Sequence, residues 1–268
     1  MKTIRVPLPE RLRQNAQAGR EAAEARDAAT IAVIRDGESG TEVFLMRRQT
    51  SMAFAAGMYV FPGGGVHPDD ARDLPWAGPE PGYFASRFGC DSDTARALVV
   101  AAVRETFEET GILLAGHDER RVVADASEYH EARGSLERHE LTFADFLNDR
   151  DLVLRADLVG AWAHWITPKF EPRRYDTRFF VTTLPRGQRI DSVSSEADRS
   201  LWVPISEVLD AVDAGSAAMM PPTITTCREL STETTGSLLR TAAARTIHPI
   251  EPRLVEIDGE LWLEREEA

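Results

Sequence analysis

Lysine is nearly absent from this 268-residue sequence, which contains only Lys2 and Lys169. Acidic residues outnumber basic ones by 44 to 31, so the formal net charge is −13. Binding along a nucleic acid requires basic surface that displaces counterions, and a chain of this charge offers little of it. We therefore expect no nucleic-acid partner.

Cysteine and long apolar runs are also scarce. Cys90 and Cys227 are the two cysteines, and no apolar run approaches the roughly 20 residues of a membrane-spanning helix. The N-terminal segment is polar throughout and lacks the apolar centre of a secretory signal. These features predict reduced thiols, no membrane partner and a cytoplasmic location.

The composition is that of a globular protein, with 43% apolar and 28% charged residues. We expect a polar N-terminal lead-in over residues 1–29, with a solvated helix within residues 11–29, and a single domain over residues 30–268. Short strands are predicted at residues 30–35, 42–48, 58–62, 112–115, 158–168, 178–184 and 200–205. Strands and helices mix without regular alternation, which favours an α+β fold.

Two helical regions and a hairpin complete the predicted elements. A helix capped by Asp91 or Ser92 runs to Thr110, and Gly111 follows as its left-handed cap. The proline-rich residues 68–92 read as an irregular loop or small subdomain. The C-terminal part, about 206–268, is predicted to hold a helix capped by Ser206, two short helices within 222–246, and a hairpin that turns at residues 258–259.

The segment Arg104 to Gly111, RETFEETG, carries three glutamates at the end of the predicted helix. Glu105, Glu108 and Glu109 stand at positions i, i+3 and i+4, so their carboxylates share one face. These charges repel one another, and the negative end of the helix dipole adds to the repulsion. A divalent cation would relieve it, and oxygen ligands favour Mg²⁺ or Mn²⁺ over zinc. The alternative is a solvated acidic face, for which glutamate is also typical.

Two neighbouring features favour the metal site. Val99, Val103 and Phe107 lie on the opposite, apolar face, which would anchor the helix and aim the glutamates in a fixed direction. Gly63 to Gly65 follow a predicted strand as a turn, and backbone without Cβ atoms lets a ligand approach closely. The alternative for the glycines is an ordinary tight turn.

The sequences FPGGGVHPDD (61–70) and AAVRETFEETGILL (101–114) together resemble the signature box of the Nudix hydrolases. The helical half matches at every fixed position: Arg104, Glu105, Phe107, Glu108, Glu109, Gly111 and Ile112. The first half departs, because residues 68–92 interrupt it and Asp70 stands where the family has a glutamate. With residues 44–64 and 165–181, this interrupted box is similar to the coenzyme A diphosphatase-like branch.

The resemblance implies an α/β/α sandwich with a mixed β-sheet, plus the insertion in the box and the C-terminal helices and hairpin. It also implies hydrolysis of a nucleoside diphosphate linked to another moiety. Mg²⁺ or Mn²⁺ would be held by the three glutamates and the carbonyl of Gly63, and Arg104 would orient a carboxylate. The general base varies in this superfamily. It is a box glutamate or a later loop carboxylate, for which Glu196 is our candidate, with a solvated loop residue as the alternative.

Substrate contacts are predicted in two places. Arg47 and Arg48 end a strand near Gly64 and Gly65, and these four residues are candidates for contact with phosphate. A second basic and aromatic cluster contains Arg173, Arg174, Tyr175 and Arg178, of which Arg174 and Tyr175 are the candidates for a 3′-phosphate or a base. Each arginine taken singly is more typical of a surface residue. His164, between two tryptophans, is predicted to be a hydrogen-bonded structural histidine.

The resemblance as a whole leads us to expect a Nudix diphosphatase that acts on coenzyme A or acyl-coenzyme A, a small-molecule nucleotide diphosphate. One alternative is the same chemistry on ADP-ribose, NADH or nucleotide sugars. An alternative from another class is a non-catalytic Nudix-like nucleotide-binding or regulatory module. The apolar hairpin at 254–263 can pack within the chain or across a homodimer, so the sequence leaves both open.

Overall fold

The computed structural model describes residues 2–8, 10–17, 21–49, 55, 57–190 and 197–267. Its strands are β1 (Lys2–Pro7), β2 (Ala25–Gly37), β3 (Gly40–Arg48), β4 (Tyr59–Val60), β5 (Gly63–Gly65), β6 (Trp76–Ala77), β7 (Ala115–Gly116), β8 (Val153–Arg155), β9 (Gly160–Ile166), β10 (Arg174–Thr183), β11 (Ala197–Pro204), β12 (Pro249–Ile250), β13 (Arg253–Ile257) and β14 (Glu260–Glu267). Its helices are α1 (Glu10–Gln17), α2 (Pro81–Phe88), α3 (Ser92–Thr110), α4 (His130–Glu137), α5 (Phe143–Asp149), α6 (Ile205–Asp213), α7 (Pro221–Leu230) and α8 (Leu238–Ala244). Short 3-10 turns cover Pro68–Ala71, Ala126–Tyr129 and Ala156–Leu158.

The largest sheet has the strand order β11-β3-β2-β10-β9-β12, and β4 and β5 pair with β3 and β2. Strands β2 and β10 run parallel, as do β9 and β12, whereas the other pairs are antiparallel. The predicted mixed sheet is thereby confirmed. Two three-stranded sheets, β1-β14-β13 and β6-β8-β7, flank it.

The side chains of β2 contribute to both layers of the sandwich, since successive side chains of a strand point to opposite faces. Ile31 and Val33 join one apolar core with helices α2 to α5. Ala32 and Ile34 join a second core with α6, α7 and α8. The sheet thus lies between two helical layers, as the α/β/α prediction requires.

Helix α3 begins and ends where the sequence predicts. The Asp91 side chain accepts a hydrogen bond from the Thr94 amide, and Gly111 ends the helix in the left-handed conformation with φ of 78°. Val99, Val103 and Phe107 are fully buried. The face that carries the glutamates is therefore held in a fixed orientation relative to the sheet.

The N-terminal segment differs from the predicted lead-in. Residues Lys2–Pro7 form a strand that pairs with β14 at the other end of the chain, and β2 already begins at Ala25. The helix in this region, α1, covers only the first part of the predicted range 11–29 and ends at Gln17. A six-residue strand with two apolar residues has little signal of its own, and its partner lies far away in sequence.

The insertion is more ordered than its composition indicates. Residues Pro81–Phe88 form helix α2, with Pro81 at the first helical position and Gly89 as a left-handed cap. Phe84 and Phe88 are buried in the core shared with α3. The helix has only 8 residues, too few for a clear periodic signal among prolines and glycines.

Three local predictions need correction. The glycines Gly63–Gly65 form strand β5 rather than a turn. Residues 112–114 are irregular, and only Ala115–Gly116 form a strand. Ser206 lies inside α6, whose cap position is Pro204 without a side-chain hydrogen bond.

The hairpin prediction agrees with β13 and β14, joined by Asp258 and Gly259 with φ of 53° and 80°. No helix in the described part of the chain combines the length and apolar character needed to span a bilayer.

Candidate active site

Strand β5 brings backbone directly against the glutamate helix. A Cβ atom on Gly64 would lie 2.4 Å from the Glu105 carboxylate oxygen, and one on Gly63 would lie 2.4 Å from the Ala29 carbonyl. Both distances are too short for a real contact: at Gly63 the obstacle is backbone, so only glycine fits, whereas at Gly64 a methyl group would force the Glu105 carboxylate to move. The glycine strand therefore allows the β2 edge, β5 and the end of α3 to meet.

Arg104 connects the box glutamates to the 3-10 turn at the start of the insertion. Its Nε and Nη2 donate to the two Asp70 carboxylate oxygens at 2.8 and 3.0 Å. Its Nη1 donates to Glu105 at 2.9 Å and lies 3.3 Å from both oxygens of Glu108, and Nη2 also donates to the Gly65 carbonyl at 3.1 Å. Burial by itself would lower the pKa of Arg104, but Asp70 and the two glutamates raise it well above its ordinary value.

The last two glutamates differ in their surroundings. The Glu109 carboxylate accepts a hydrogen bond from the Gly63 amide at 2.7 Å. Burial raises the pKa of Glu108 to about 7, although the nearby Arg104 acts in the opposite direction. The described contact of Gly63 is thus made by its N–H, whereas the sequence-based prediction used its carbonyl as a metal ligand.

The donor set is chemically suited to a hard divalent cation. Glu105, Glu108 and Glu109 supply only oxygen atoms and line one cavity. Within the described ranges, no three His, Cys, Asp or Glu side chains stand together in positions that would hold a metal ion. Arg104 contacts two of the three carboxylates and so balances part of their charge. A bound divalent cation would balance the remaining negative charge.

The cavity has a volume of about 770 Å³ and extends well beyond the glutamates. Gly65 on β5, Ala28 on β2, Thr177 on β10 and Trp165 on β9 form one row across the sheet. Three strand spacings separate the ends of this row, a distance of about 14 Å. The cavity is therefore acidic at the β5 end and carries apolar groups such as Trp165 at the β9 end.

Both ends of the chain contribute to the cavity wall. Val6 of β1, Leu12 of α1 and Leu263 of β14 line it together with Phe179. The chain ends are joined by the β1–β14 pairing and by a hydrogen bond from the Leu8 amide to the Leu261 carbonyl. These contributions could not be read from the sequence, because they depend on a pairing between the two termini.

Three of the four predicted phosphate contacts lie at the cavity in the structure. Arg48, Gly64 and Gly65 line the cavity. Arg47 precedes Arg48 on β3 and is not among the described lining residues. Neighbouring side chains of a strand point to opposite faces, so Arg47 and Arg48 lie on different sides of β3. Glu196, the loop candidate for the general base, lies outside the described residues.

The second basic cluster is also split by strand alternation. Tyr175 lines the cavity together with Thr177, whereas Arg174 and Arg178 point to the other face of β10. Arg174 donates to the carbonyls of Thr167 and Ala23 at 3.0 and 2.6 Å and to Glu251 at 2.6 Å.

Arg178 is occupied in a similar way, since it pairs with Asp27 and Asp176 at 2.8 Å each. In this structure Arg174 and Arg178 therefore connect parts of the chain and do not form a joint phosphate site with Tyr175. His164 is structural as expected: it is buried, and its Nε2 lies 2.5 Å from the Asp176 carboxylate.

Three cavity residues were missed by sequence reasoning. His67, Glu137 and His139 line the same end as the box glutamates. His67 lies just after the glycines, and this closeness in sequence was the one indication that it belongs to the site. Glu137 ends α4 and His139 follows it, in a charged region with no motif, so only the folded chain places them at the site.

A mixed sheet between helical layers, with a glutamate helix against a glycine strand, defines the Nudix class of fold. Residues 91–230 match the family model described as the NUDT19 Nudix domain. Because this match spans more than half of the 268 residues, the chain belongs to the NUDT19 Nudix domain family.

Several known proteins are similar to this chain. "Putative nudix hydrolase 7" of Caenorhabditis elegans is 28% identical over 70% of this chain and 55% of the relative. "Acyl-coenzyme A diphosphatase NUDT19" is 23% identical in Xenopus laevis, over 70% of this chain and 59% of the relative. In Gallus gallus it is 25% identical, over 69% of this chain and 60% of the relative. The matched part thus spans 55% to 60% of the length of these relatives.

A solved structure agrees with the fold. The crystal structure of a NUDIX hydrolase from Alicyclobacillus acidocaldarius has a TM-score of 0.65 and 27% sequence identity to this chain. The similarity covers 84% of this chain and 98% of that protein. The fold is therefore supported over most of the chain, including parts outside the box.

Proposed function

We propose that this chain is a divalent-metal-dependent diphosphatase that cleaves the diphosphate of coenzyme A or acyl-coenzyme A. The observation that carries the proposal is the cavity, which the three box glutamates line beside β5 and which reaches Trp165 on β9, about 14 Å across the sheet from β5. A nucleoside diphosphate with a long, largely uncharged arm has this distribution of charge. The names of the Xenopus and Gallus relatives support the same substrate class.

In the proposed reaction, Glu105, Glu108 and Glu109 would hold a Mg²⁺ or Mn²⁺ ion, with the carbonyl of Gly63 as a further candidate ligand. When bound, the ion neutralises charge on the phosphoryl oxygens and lowers the pKa of water. Arg104 forms ion pairs with Glu105 and Glu108, and its own position is fixed by the ion pair with Asp70. This tethering reduces the reorganisation that the carboxylates undergo when the substrate binds.

The bonds that change follow from the substrate. The oxygen of water forms a bond to one phosphorus, the P–O bond to the bridging oxygen breaks, and the water proton passes to a carboxylate base. The products are 4′-phosphopantetheine, or its acyl form, and adenosine 3′,5′-bisphosphate. We propose a box glutamate or Glu196 as the base.

We assign the remaining substrate contacts by their place in the cavity. Arg48 is the only arginine among the described lining residues, and we propose that it contacts the diphosphate, with Gly64 and Gly65 allowing close approach. Tyr175 offers a ring for stacking, and Trp165 and Phe179 offer apolar surface to the arm. We further propose that the chain acts as one domain that begins before residue 30, since β2 starts at Ala25, β1 pairs with β14, and a single sheet joins both apolar cores.

The test is product analysis by mass-resolved chromatography with Mg²⁺ or Mn²⁺ present. The substrates are coenzyme A, acetyl-coenzyme A, ADP-ribose, NADH, nucleotide sugars and dinucleoside polyphosphates. We expect metal-dependent release of adenosine 3′,5′-bisphosphate, with coenzyme A substrates turned over fastest. Faster turnover of ADP-ribose or NADH would overturn the proposed substrate but support the proposed diphosphatase chemistry. Tight binding without turnover of any compound would instead indicate a binding module.

A further inference from the structure

His67 and His139 form a ring pair at the acidic end of the cavity. Their ring centroids are 5.0 Å apart in an edge-to-face arrangement with an interplanar angle of 61°. Both rings line the cavity that Glu105, Glu108 and Glu109 also line. Neither histidine belongs to the residues assigned above to the metal or to the substrate.

His67 is tied to the glutamates through a chain of hydrogen bonds. Its backbone amide donates to Asp70 Oδ2 at 2.8 Å, and the Asp70 carboxylate is bound by Arg104 at 2.8 and 3.0 Å. Arg104 in turn donates to Glu105 at 2.9 Å. The position of His67 is therefore set relative to the same groups that would hold the cation.

His139 adopts a backbone conformation that is unfavourable for residues with a side chain. It follows α4 with φ of 56°, and its amide donates to the Leu136 carbonyl at 2.8 Å. Glycine is the usual residue at such a position after a helix. A non-glycine residue held in this region at a cavity is a reason to look for a role of its side chain.

The described lining of the cavity is poor in cationic side chains that could donate hydrogen bonds to an anion. Five glutamates line it among the described residues, against the single arginine Arg48. A diphosphate carries negative charge on both phosphoryl groups, so donors are needed beyond the metal. An imidazole ring offers at least one N–H donor in either protonation state.

We infer that His67 and His139 donate ring N–H hydrogen bonds to the phosphoryl oxygens of the substrate and position the diphosphate against the three box glutamates. This inference rests on the proposed diphosphatase function. The pair adds no bond-making step, since both residues bind and orient the substrate.

The test replaces each ring by an apolar ring. His67→Phe and His139→Phe keep the edge-to-face packing but remove the N–H donors. Because hydrogen bonds to charged groups are among the strong ones, we expect kcat/KM for coenzyme A to fall about 10-fold or more in each variant. His117→Phe is the matched control, because His117 is exposed and does not line the cavity among the described residues. It is expected to stay within about twofold of the wild type.

Two further measurements separate substrate positioning from a structural role. Mn²⁺ affinity, measured by titration, is expected to be unchanged in both Phe variants, and the double variant is expected to lose less than the product of the single losses because the rings are in contact. His67→Gln and His139→Gln, which restore an N–H donor, are expected to recover part of the activity. Unchanged kcat/KM in both Phe variants, or a loss matched by weaker Mn²⁺ binding, would overturn the inference.

A binding experiment keeps this inference separable from the proposed function. Coenzyme A binding in the presence of Ca²⁺ is measured by calorimetry for the wild type and the Phe variants. Weaker binding in the Phe variants supports the histidine pair even if the wild type hydrolyses nothing, in which case only the proposed function fails. Equal binding in all variants, together with equal kcat/KM where turnover occurs, contradicts the pair. A wild type that neither binds nor hydrolyses coenzyme A overturns both.

Discussion

The carboxylate of Asp70 and the guanidinium of Arg104 form a two-bond ion pair between residues that are 34 positions apart, at 2.8 and 3.0 Å. Both side chains are buried, with 2% and 6% of their surface exposed. The pair joins the 3-10 turn that opens the insertion to the helix that carries the glutamates. It is the contact through which the interrupted box is assembled.

Asp70→Asn tests this contact. The substitution leaves the buried guanidinium without its main partner, and breaking a buried pair from one side typically costs about 3–5 kcal/mol in free energy of unfolding. We expect a value near the lower end, because Glu105 and Glu108 still balance Arg104. Urea unfolding measures the effect. Asp213→Asn, which breaks the exposed pair with Arg228, is the control and should leave unfolding unchanged.

Gly64→Ala tests the close approach of β5 and α3. An added methyl group would lie 2.4 Å from the Glu105 carboxylate, so the carboxylate must move. We expect kcat to fall about 10- to 100-fold, since small misplacements of catalytic groups have effects of this size. Gly82→Ala on α2 is the comparison, because Gly82 does not line the cavity among the described residues and its added methyl would meet Ser92 Oγ at an ordinary 3.7 Å. An equal loss in both variants would contradict the steric explanation.

The raised pKa of Glu108 predicts a pH dependence in metal-free protein. The folded carboxyl titrates at about 7 and the ordinary value is 4.5, so the folded state binds the proton more tightly. The stability from this group is fully present below pH 4.5 and is lost as the pH rises to about 7. We expect the difference in unfolding free energy between the wild type and Glu108→Gln to change over this range in EDTA. A difference that is constant with pH would show that Glu108 titrates normally.

Proton binding and metal binding at Glu108 should compete, because a cation requires the charged carboxylate. Mn²⁺ affinity is therefore expected to weaken as the pH falls below about 7, and a titration series at several pH values measures it. Glu108→Gln should bind Mn²⁺ more weakly throughout and show a flatter profile. A wild-type affinity that does not change between pH 6 and 8, a range spanning roughly one unit on each side of that pKa, would contradict the competition.

Arg174→Gln tests the structural assignment of this arginine. All three of its guanidinium nitrogens donate to other parts of the chain, and only 9% of its side chain is exposed. We expect the free energy of unfolding to fall by about 2 kcal/mol or more, with kcat/KM for coenzyme A nearly unchanged. A rise in KM without loss of stability would instead show that Arg174 contacts the substrate, as the sequence predicts. Thermal unfolding and steady-state kinetics on one preparation separate the two outcomes.

Glu109→Gln tests the metal site itself. Glutamine can still accept the hydrogen bond from the Gly63 amide, so the local fold should be retained. Loss of a negatively charged metal ligand is expected to reduce kcat about 100-fold or more. Binding of coenzyme A should persist in part. Glu119→Gln on the exposed turn after β7 is the control, and normal turnover of Glu109→Gln would contradict the assignment of the metal site.

The sequence by itself determined helix α3 with its caps, the shared face of Glu105, Glu108 and Glu109, and the C-terminal hairpin. These features depend on short-range rules: capping residues, the 3.6-residue period and turn chemistry act within a few positions. The family resemblance also came from this local pattern, and the mixed sheet followed from it.

Only the tertiary structure decided which residues share the cavity. In the folded chain the three glycines form strand β5, Arg174 and Tyr175 point to opposite faces of β10, and the ring of His139 packs against that of His67. It also paired β1 with β14, so that both ends of the chain reach the cavity wall. These contacts join residues far apart in sequence, and their geometry depends on strand register and on the packing of the whole sheet, which no local pattern encodes.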